Sequence, residues 1–186
     1  MFRLSRYALA LCALACASRV AQPSLVVASG GASSSLLALP GVWTDERGVS
    51  TRLADFRGQP LILTMFYRSC QTRCPLTISR LEQVARALER RQVSASFVLV
   101  TLDPRNDTVA RLAEFKADHK FPESWHLLRG DEVETRALAK KLGLRVAYDD
   151  AHIDHDVKVV CYDSQGRLAL AFSDWHFDEN QLLTLR

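Results

Sequence analysis

The sequence predicts a single three-layer α/β domain built around a central mixed β-sheet. Residues 61–67 (LILTMFY) and 96–102 (SFVLVTL) are continuous apolar runs, the pattern of parallel strands covered on both faces. Apolar residues at helical spacing lie between these runs, which gives a βαβ unit. Two further apolar runs near the chain end flank a turn and predict an antiparallel hairpin. With 186 residues, 48% of them apolar, the chain can bury one complete core.

The first 17 residues have the pattern of a secretory signal peptide. Arg3 and Arg6 precede an apolar stretch over residues 7–17 that ends in small side chains. This stretch is well short of the roughly 20 residues that span a bilayer as a helix. Residues 13–16 also resemble a bacterial lipoprotein signal, in which Cys16 is acylated; both outcomes stay open. We therefore expect a periplasmic or otherwise extracytoplasmic protein, with or without a membrane anchor.

The next segment is expected to connect this signal to the folded domain. Residues 18–39 are rich in Ser, Ala and Gly and predict a flexible tether, which places the domain over residues 40–186. At the start of the domain, residues 42–44 and 49–51 flank a turn at Arg47-Gly48 and predict an N-terminal hairpin.

The hydrophobic pattern predicts the remaining elements in order. Helices are expected over residues 75–91, 108–119, 131–142 and 177–185, with strands over residues 125–128, 157–162 and 167–172. This order, a parallel sheet with an antiparallel pair at one end, is that of the thioredoxin-like fold. The net charge of +3 is small and the basic residues are scattered, so the composition gives no support to a nucleic-acid-binding function.

Cys70 and Cys74 lie where the first core strand is expected to pass into a helix. Their spacing of four residues predicts that both sulfurs lie on one side of a single helical turn, near enough to share a metal ion or to close a disulfide. A helix N-terminus stabilises thiolates, and Arg68 and Arg73 add positive charge, so we expect lowered thiol pKa values. Both a redox-active dithiol and a site for a soft metal remain open.

The other cysteines are assigned different roles. Cys12 and Cys16 belong to the signal segment, which leaves an odd number of cysteines in the domain and argues against a disulfide framework. Cys161 lies within a predicted strand, and we expect a buried structural thiol.

Among the five histidines, those of residues 152–156 (HIDHD) are the candidates for a metal ligand. This polar segment enters the C-terminal hairpin, and in a thioredoxin-like fold it faces the cysteine turn. A neutral imidazole there would complete a Cys2His site, with a neighbouring carboxylate fixing its tautomer. A solvated loop is the alternative. Surface or packing roles are expected for His119, His126 and His176.

Three motifs together resemble one known family. They are FYRSCQTRCP (residues 66–75), TLDPRNDT (residues 101–108) and DH (residues 154–155) followed by YDSQG (residues 162–166). In this order they resemble the Sco/SenC family of copper-binding thioredoxin-like proteins. The resemblance implies an extracytoplasmic copper metallochaperone that assists assembly of the copper centre of cytochrome c oxidase. It also implies that Cys70, Cys74 and His155 bind Cu(I) or Cu(II), and that the two cysteines can form a disulfide.

The chain departs from the family pattern at several positions. Gln71 follows the first cysteine where many members have Pro, and Arg68-Ser69 stand where an aromatic-Thr pair is usual. These changes leave the implied ligands intact and are expected to alter the redox potential or the partner surface. His152 does not fall at the position of the family histidine and is the weaker ligand candidate.

The second motif also allows ordinary structural roles. We expect Asp103 to end a strand in an Asp-Pro turn, beside the alternative of a role near the metal, and Asn106 or Asp107 to cap a helix.

Three functional hypotheses follow. The first is a metallochaperone, without turnover, whose partner is a copper-accepting subunit of a respiratory oxidase or another copper carrier. The second is a thiol–disulfide oxidoreductase that uses Cys70 and Cys74 as its redox-active pair and needs no histidine. A peroxide-reducing enzyme of the same fold is the third, and only the predicted fold supports it.

Overall fold

The computed structural model describes residues 36–149, 152–174, 177 and 179–182. The predicted signal peptide and most of the predicted tether lie outside these residues. Within the described part of the chain, no helix is both long enough and apolar enough to cross a membrane.

The described residues form the following strands and helices. The strands are β1 (Trp43–Thr44), β2 (Ser50–Thr51), β3 (Leu61–Phe66), β4 (Ser96–Thr101), β5 (Trp125–Leu128), β6 (Val146–Tyr148), β7 (Ile153–His155), β8 (Val159–Tyr162) and β9 (Leu168–Phe172). The helices are α1 (Arg73–Arg90), α2 (Val109–Asp118), α3 (Glu132–Lys141) and α4 (Glu179–Leu182).

A five-stranded mixed sheet in the order β5-β4-β3-β8-β9 lies at the centre of the molecule. Strands β3, β4 and β5 are parallel, whereas β8 runs antiparallel to both β3 and β9. Every residue of β3 and β4 is buried, which explains why both appear in the sequence as unbroken apolar runs. The predicted mixed sheet and C-terminal hairpin are therefore confirmed.

The N-terminal hairpin is also confirmed, as the pair β1 and β2. Its turn uses Gly48 at φ +82°, a left-handed conformation that glycine adopts without a steric penalty. The hairpin forms its own two-stranded sheet, and Thr44 meets Arg129 in an isolated bridge.

The folded domain begins earlier than residue 40. Leu36–Ala38 forms a short 3₁₀ turn, and the side chains of Leu36 and Leu37 are buried in the core. This turn packs against a second 3₁₀ turn, Leu53–Phe56. The Ser- and Ala-rich composition suggested a tether, but two adjacent leucines with an apolar surface to cover belong to the domain.

A short antiparallel ribbon, absent from the sequence-based prediction, precedes the C-terminal hairpin. Strands β6 and β7 pair with each other and join no other described strand; we call them the histidine ribbon because β7 carries His155. In β7, Ile153 and His155 are buried and Asp154 is exposed. A half-buried strand is recognised in a sequence by alternating apolar and polar residues. In β7 this alternation is not visible, because one of the two inward side chains, that of His155, is polar.

Candidate metal centre

Residues 67–72 form the loop between β3 and α1, which we call the cysteine loop. This loop places the two cysteines. Helix α1 begins at Arg73, so Cys74 is its second residue and Cys70 lies before it. The backbone N–H of Cys70 donates to the Tyr67 carbonyl at 3.1 Å, and the N–H of Cys74 donates to the sulfur of Cys70 at 3.4 Å. The prediction that both cysteines lie in one helical turn is therefore wrong, but the predicted closeness of their sulfurs is correct. Instead, the amino end of the helix is directed at the sulfur of Cys70.

The two thiols have opposite pKa shifts. For Cys70, burial opposes ionisation, but the backbone N–H groups of Cys74 and Thr72 bind the sulfur and the net pKa is lowered. For Cys74, burial raises the pKa strongly, and its hydrogen bond with Cys70 and the charge of that thiolate add to the effect. The predicted lowering is wrong for Cys74, and at Cys70 it comes from backbone N–H groups of the helix terminus, not from arginines.

We therefore expect iodoacetamide to modify Cys70 at least about tenfold faster than Cys74 at pH 7 in the reduced, metal-free protein. The thiolate is the nucleophile, and a lowered pKa gives Cys70 the larger thiolate fraction. Trypsin separates the two sites into peptides 69–73 and 74–80, so mass spectrometry measures each rate. In urea the two rates should converge. Equal rates in the folded protein would contradict the assignment.

His155 is held with one ring nitrogen unprotonated. Its Nδ1 lies 2.7 Å from the carbonyl oxygen of Asp156, and because a carbonyl only accepts, Nδ1 carries the proton. The other nitrogen, Nε2, lies 3.7 Å from the sulfur of Cys74. Burial lowers the pKa of His155, partly opposed by the Asp156 carbonyl, so the ring is neutral at pH 7. A backbone carbonyl thus fixes the tautomer, where a carboxylate had been predicted.

Folding brings Cys70, Cys74 and His155 into one group. One ligand atom from each, the two sulfurs and a ring nitrogen, lie within 4.8 Å of one another, and all three residues are buried. In the described part of the chain, this is the one group of three or more cysteine, histidine or acidic side chains with such spacing. Both cysteines are free thiols. Two sulfurs and one imidazole nitrogen form a donor set suited to a soft metal ion.

The remaining histidines lie outside this group. His152 is exposed, and a hydrogen bond of 3.1 Å joins its Nδ1 to the hydroxyl of Tyr67. His119 packs against Phe115, and His126 meets Phe56 edge-on. His176 lies outside the described residues.

Cys161 is fully buried in β8, and burial raises the pKa of its thiol. The prediction of a buried structural cysteine is confirmed.

Tyr67, whose role has no signature in the sequence, covers the group. Its side chain is buried, and its ring meets that of His155 edge-on at a centroid distance of 5.7 Å. Burial raises the pKa of Tyr67 to about 12, and the charges of Cys70 and Cys74 contribute. The phenol therefore stays protonated, and its proximity helps to lower the pKa of Cys70.

Asp107 has a role different from the predicted one. Its buried carboxylate accepts hydrogen bonds from the backbone N–H of Arg68 at 3.1 Å and from the hydroxyl of Thr101 at 2.5 Å. It thereby fixes the start of the cysteine loop to the end of β4. The predicted capping role is wrong, because Thr108 caps α2 by accepting from the N–H of Arg111.

Asp103 has the local role that was expected in the Asp-Pro turn. Its carboxylate accepts hydrogen bonds from the backbone and the side-chain amide of Asn106.

Comparisons with known proteins place the chain in a family. The SCO1/SenC family model matches residues 38–184. The mitochondrial SCO2 homologue of Bos taurus is 37% identical over 76 residues, which cover 40% of this chain and 29% of that protein. The chain spans less than two thirds of the length of the curated relatives it matches first.

Solved structures share the fold. ScoI of Arabidopsis thaliana, solved with copper bound, superposes with a TM-score of 0.69 at 18% identity, covering 78% of this chain and 92% of that one. BsSco, described as a member of the Sco family of cytochrome c oxidase assembly proteins with a disulfide switch, gives a TM-score of 0.69 at 16% identity, covering 78% of this chain and 88% of that one. The thioredoxin-like fold is thus confirmed, and since the family model matches nearly all of the described residues, the chain belongs to the SCO1/SenC family.

Proposed function

We propose that this protein is a metallochaperone that binds copper through Cys70, Cys74 and His155. The observation that carries the proposal is the convergence of their three ligand atoms within 4.8 Å at a buried site. Two thiolates and an imidazole are the soft donors that Cu(I) prefers, whereas structural zinc sites use four protein ligands. A cavity of about 300 Å³ beside Cys70, lined in part by Tyr67 and Thr72, gives access to the group.

The residues of the site have distinct tasks in this proposal. The lowered pKa of Cys70 favours its thiolate, whereas Cys74 has a raised pKa and loses its proton when the metal binds. The unprotonated Nε2 of His155 can bind a metal without losing a proton, because Nδ1 holds the hydrogen. Metal uptake should therefore release protons, with Cys74 contributing more than Cys70.

The partner and the compartment extend the same proposal. We infer that the copper is passed, by ligand exchange with thiols of the acceptor, to a subunit of cytochrome c oxidase or to another copper carrier. Membership of the SCO1/SenC family supports this inference. The signal-like pattern of residues 1–17 supports an extracytoplasmic location, anchored to a membrane if Cys16 is acylated.

Copper titration of the reduced protein tests the metal site. We expect one equivalent of copper per chain, and in the Cu(II) form an absorption band from sulfur-to-copper charge transfer. Cys70→Ser and Cys74→Ser should each abolish the band. Cys161→Ala is the matched control, since it removes a thiol outside the group, and it should bind like the parent protein. Stoichiometry near zero, or a band lost with Cys161→Ala alone, would refute the proposal.

A thiol–disulfide oxidoreductase is a second candidate, favoured by the lowered pKa of Cys70 beside a second free thiol. In that case the Cys70 thiolate attacks a partner disulfide, one partner sulfur leaves as a thiol, and Cys74 resolves the mixed disulfide. Cys74→Ser would then accumulate a mixed disulfide through Cys70. Loss of disulfide-reducing activity in Cys70→Ser, with no copper bound by the parent, would favour this candidate.

A further inference from the structure

The histidine ribbon reaches the cysteine loop and the start of α1 through only a few side-chain contacts in the described residues. The ribbon shares no backbone pairing with the central sheet. Ile153 buries its side chain in the core, and Tyr67 bonds to His152 on one flank. An isolated two-stranded hairpin is marginally stable in water, so these contacts hold His155 in place.

Arg73 provides the contact on the other flank. Its Nη1 atom lies 2.8 Å from Oδ1 of Asp154 and 2.6 Å from the carbonyl oxygen of His155. Arg73 directly precedes Cys74, and Asp154 directly precedes His155. One guanidinium therefore joins the two segments that carry the proposed ligands, at the residues next to them.

The two bonds of Arg73 differ in strength. The side chains of Arg73 and Asp154 are 45% and 70% exposed, and such solvent-exposed ion pairs add little. The bond to the His155 carbonyl is part-buried and charge-assisted, which makes it the stronger of the two. It also fixes the backbone of the ligand residue itself.

We propose that Arg73 is a positioning residue that latches the histidine ribbon to the start of α1 and thereby sets the rate at which bound copper leaves. This inference rests on the proposed function. With the latch closed, His155 stays opposite Cys74. With it open, the imidazole withdraws and two thiolates remain, which an acceptor thiol can then displace.

Arg73→Met tests the latch, because methionine keeps part of the aliphatic stem and removes both hydrogen bonds. Arg86→Met is the matched control: it is the same substitution on the same helix, and Arg86 is an exposed residue paired only loosely with Glu82 at 3.8 Å. Arg73→Lys keeps a charged donor, and Asp154→Asn weakens the ion pair but leaves the bond to the carbonyl.

The first measurement uses the reduced, metal-free protein. Hydrogen exchange is followed at the ribbon amides of Asp149 and Asp156, which donate to the carbonyls of His152 and Arg145. Arg73→Met should speed their exchange about tenfold, the effect of one lost charge-assisted bond. Amides of β4, followed in the same sample, should exchange as in the parent protein and so exclude general destabilisation.

The second measurement is the rate at which Cu(I)-loaded protein loses its metal to excess bathocuproine disulfonate. We expect about tenfold faster loss for Arg73→Met, and rates within threefold of the parent for Arg86→Met, Asp154→Asn and Arg73→Lys. The proposal would be refuted if Arg73→Met changed neither the hydrogen exchange of the ribbon nor the rate of copper loss. It would also be refuted if hydrogen exchange became faster and copper loss did not. A parent protein that binds no copper would instead refute the proposed function, and the exchange data would still report whether Arg73 holds the ribbon.

Discussion

His155→Ala should lower the affinity for copper on the order of 100-fold or more while leaving both thiols in place. Changes in residues that merely support a metal ligand cost 10- to 100-fold, so the loss of a ligand should cost at least as much. The effect should be larger for Cu(II) than for Cu(I), because Cu(I) tolerates two thiolates alone and Cu(II) favours nitrogen donors. Competition with a chromophoric Cu(I) chelator and the Cu(II) absorption spectrum measure the two losses.

His152→Ala is the control for this experiment. It removes an imidazole from the same segment, but one that is exposed and bonded to Tyr67. We expect copper affinity within about threefold of the parent. If His155→Ala retained copper as well as His152→Ala does, the Cys2His site would be wrong. If copper were lost but disulfide-reducing activity were kept, the cysteine pair would have a redox function that is independent of the metal.

The sequence predicted the sheet well because its central strands are covered on both faces. Strands β3, β4 and β5 occur within one residue of the predicted bounds, and their continuous apolar runs leave little ambiguity. The start of α1 was predicted two residues late, because Pro75 was taken as the first helical residue. Proline fits elsewhere in a first turn as well, since the N–H groups there have no helical partner.

The ligands of the candidate site could be predicted, but not the residues that hold them. Cysteine and histidine are visible in the sequence as candidate ligands because few other side chains bind soft metals. Arg73 and Asp107 carry no such signature. Their roles depend on contacts between residues 81 or 82 apart for Arg73, and 39 apart for Asp107, which only the folded chain creates. The histidine ribbon was missed for a related reason, because tertiary burial of His155 defines its inward face.

Asp107→Ala should lower the free energy of unfolding by about 2–4 kcal/mol. The substitution leaves two donors without an acceptor, the part-buried backbone N–H of Arg68 and the buried hydroxyl of Thr101. Each unsatisfied buried donor costs about 1–3 kcal/mol. Urea unfolding at pH 7, followed by tryptophan fluorescence, measures the change. Asp103→Ala in the same motif is the control, since its carboxylate bonds only to exposed groups of Asn106, and it should cost much less.

Asp107→Asn separates the hydrogen bonds from the charge. The amide oxygen of asparagine can accept both bonds, so the large loss seen with alanine should not occur. Burial raises the pKa of Asp107 in the folded protein, so its ionisation works against folding. Protonated Asp107 contributes stability at pH values below the pKa that Asp107 has in the unfolded chain. This contribution is lost as the pH rises through the higher pKa that Asp107 has in the folded protein. Asparagine removes this loss, and Asp107→Asn should therefore gain stability relative to the parent as pH rises from about 4 to 7. If Asp107→Asn were as unstable as Asp107→Ala at every pH, the negative charge itself would be needed to hold the cysteine loop, and burial could not be the dominant influence on this carboxyl group.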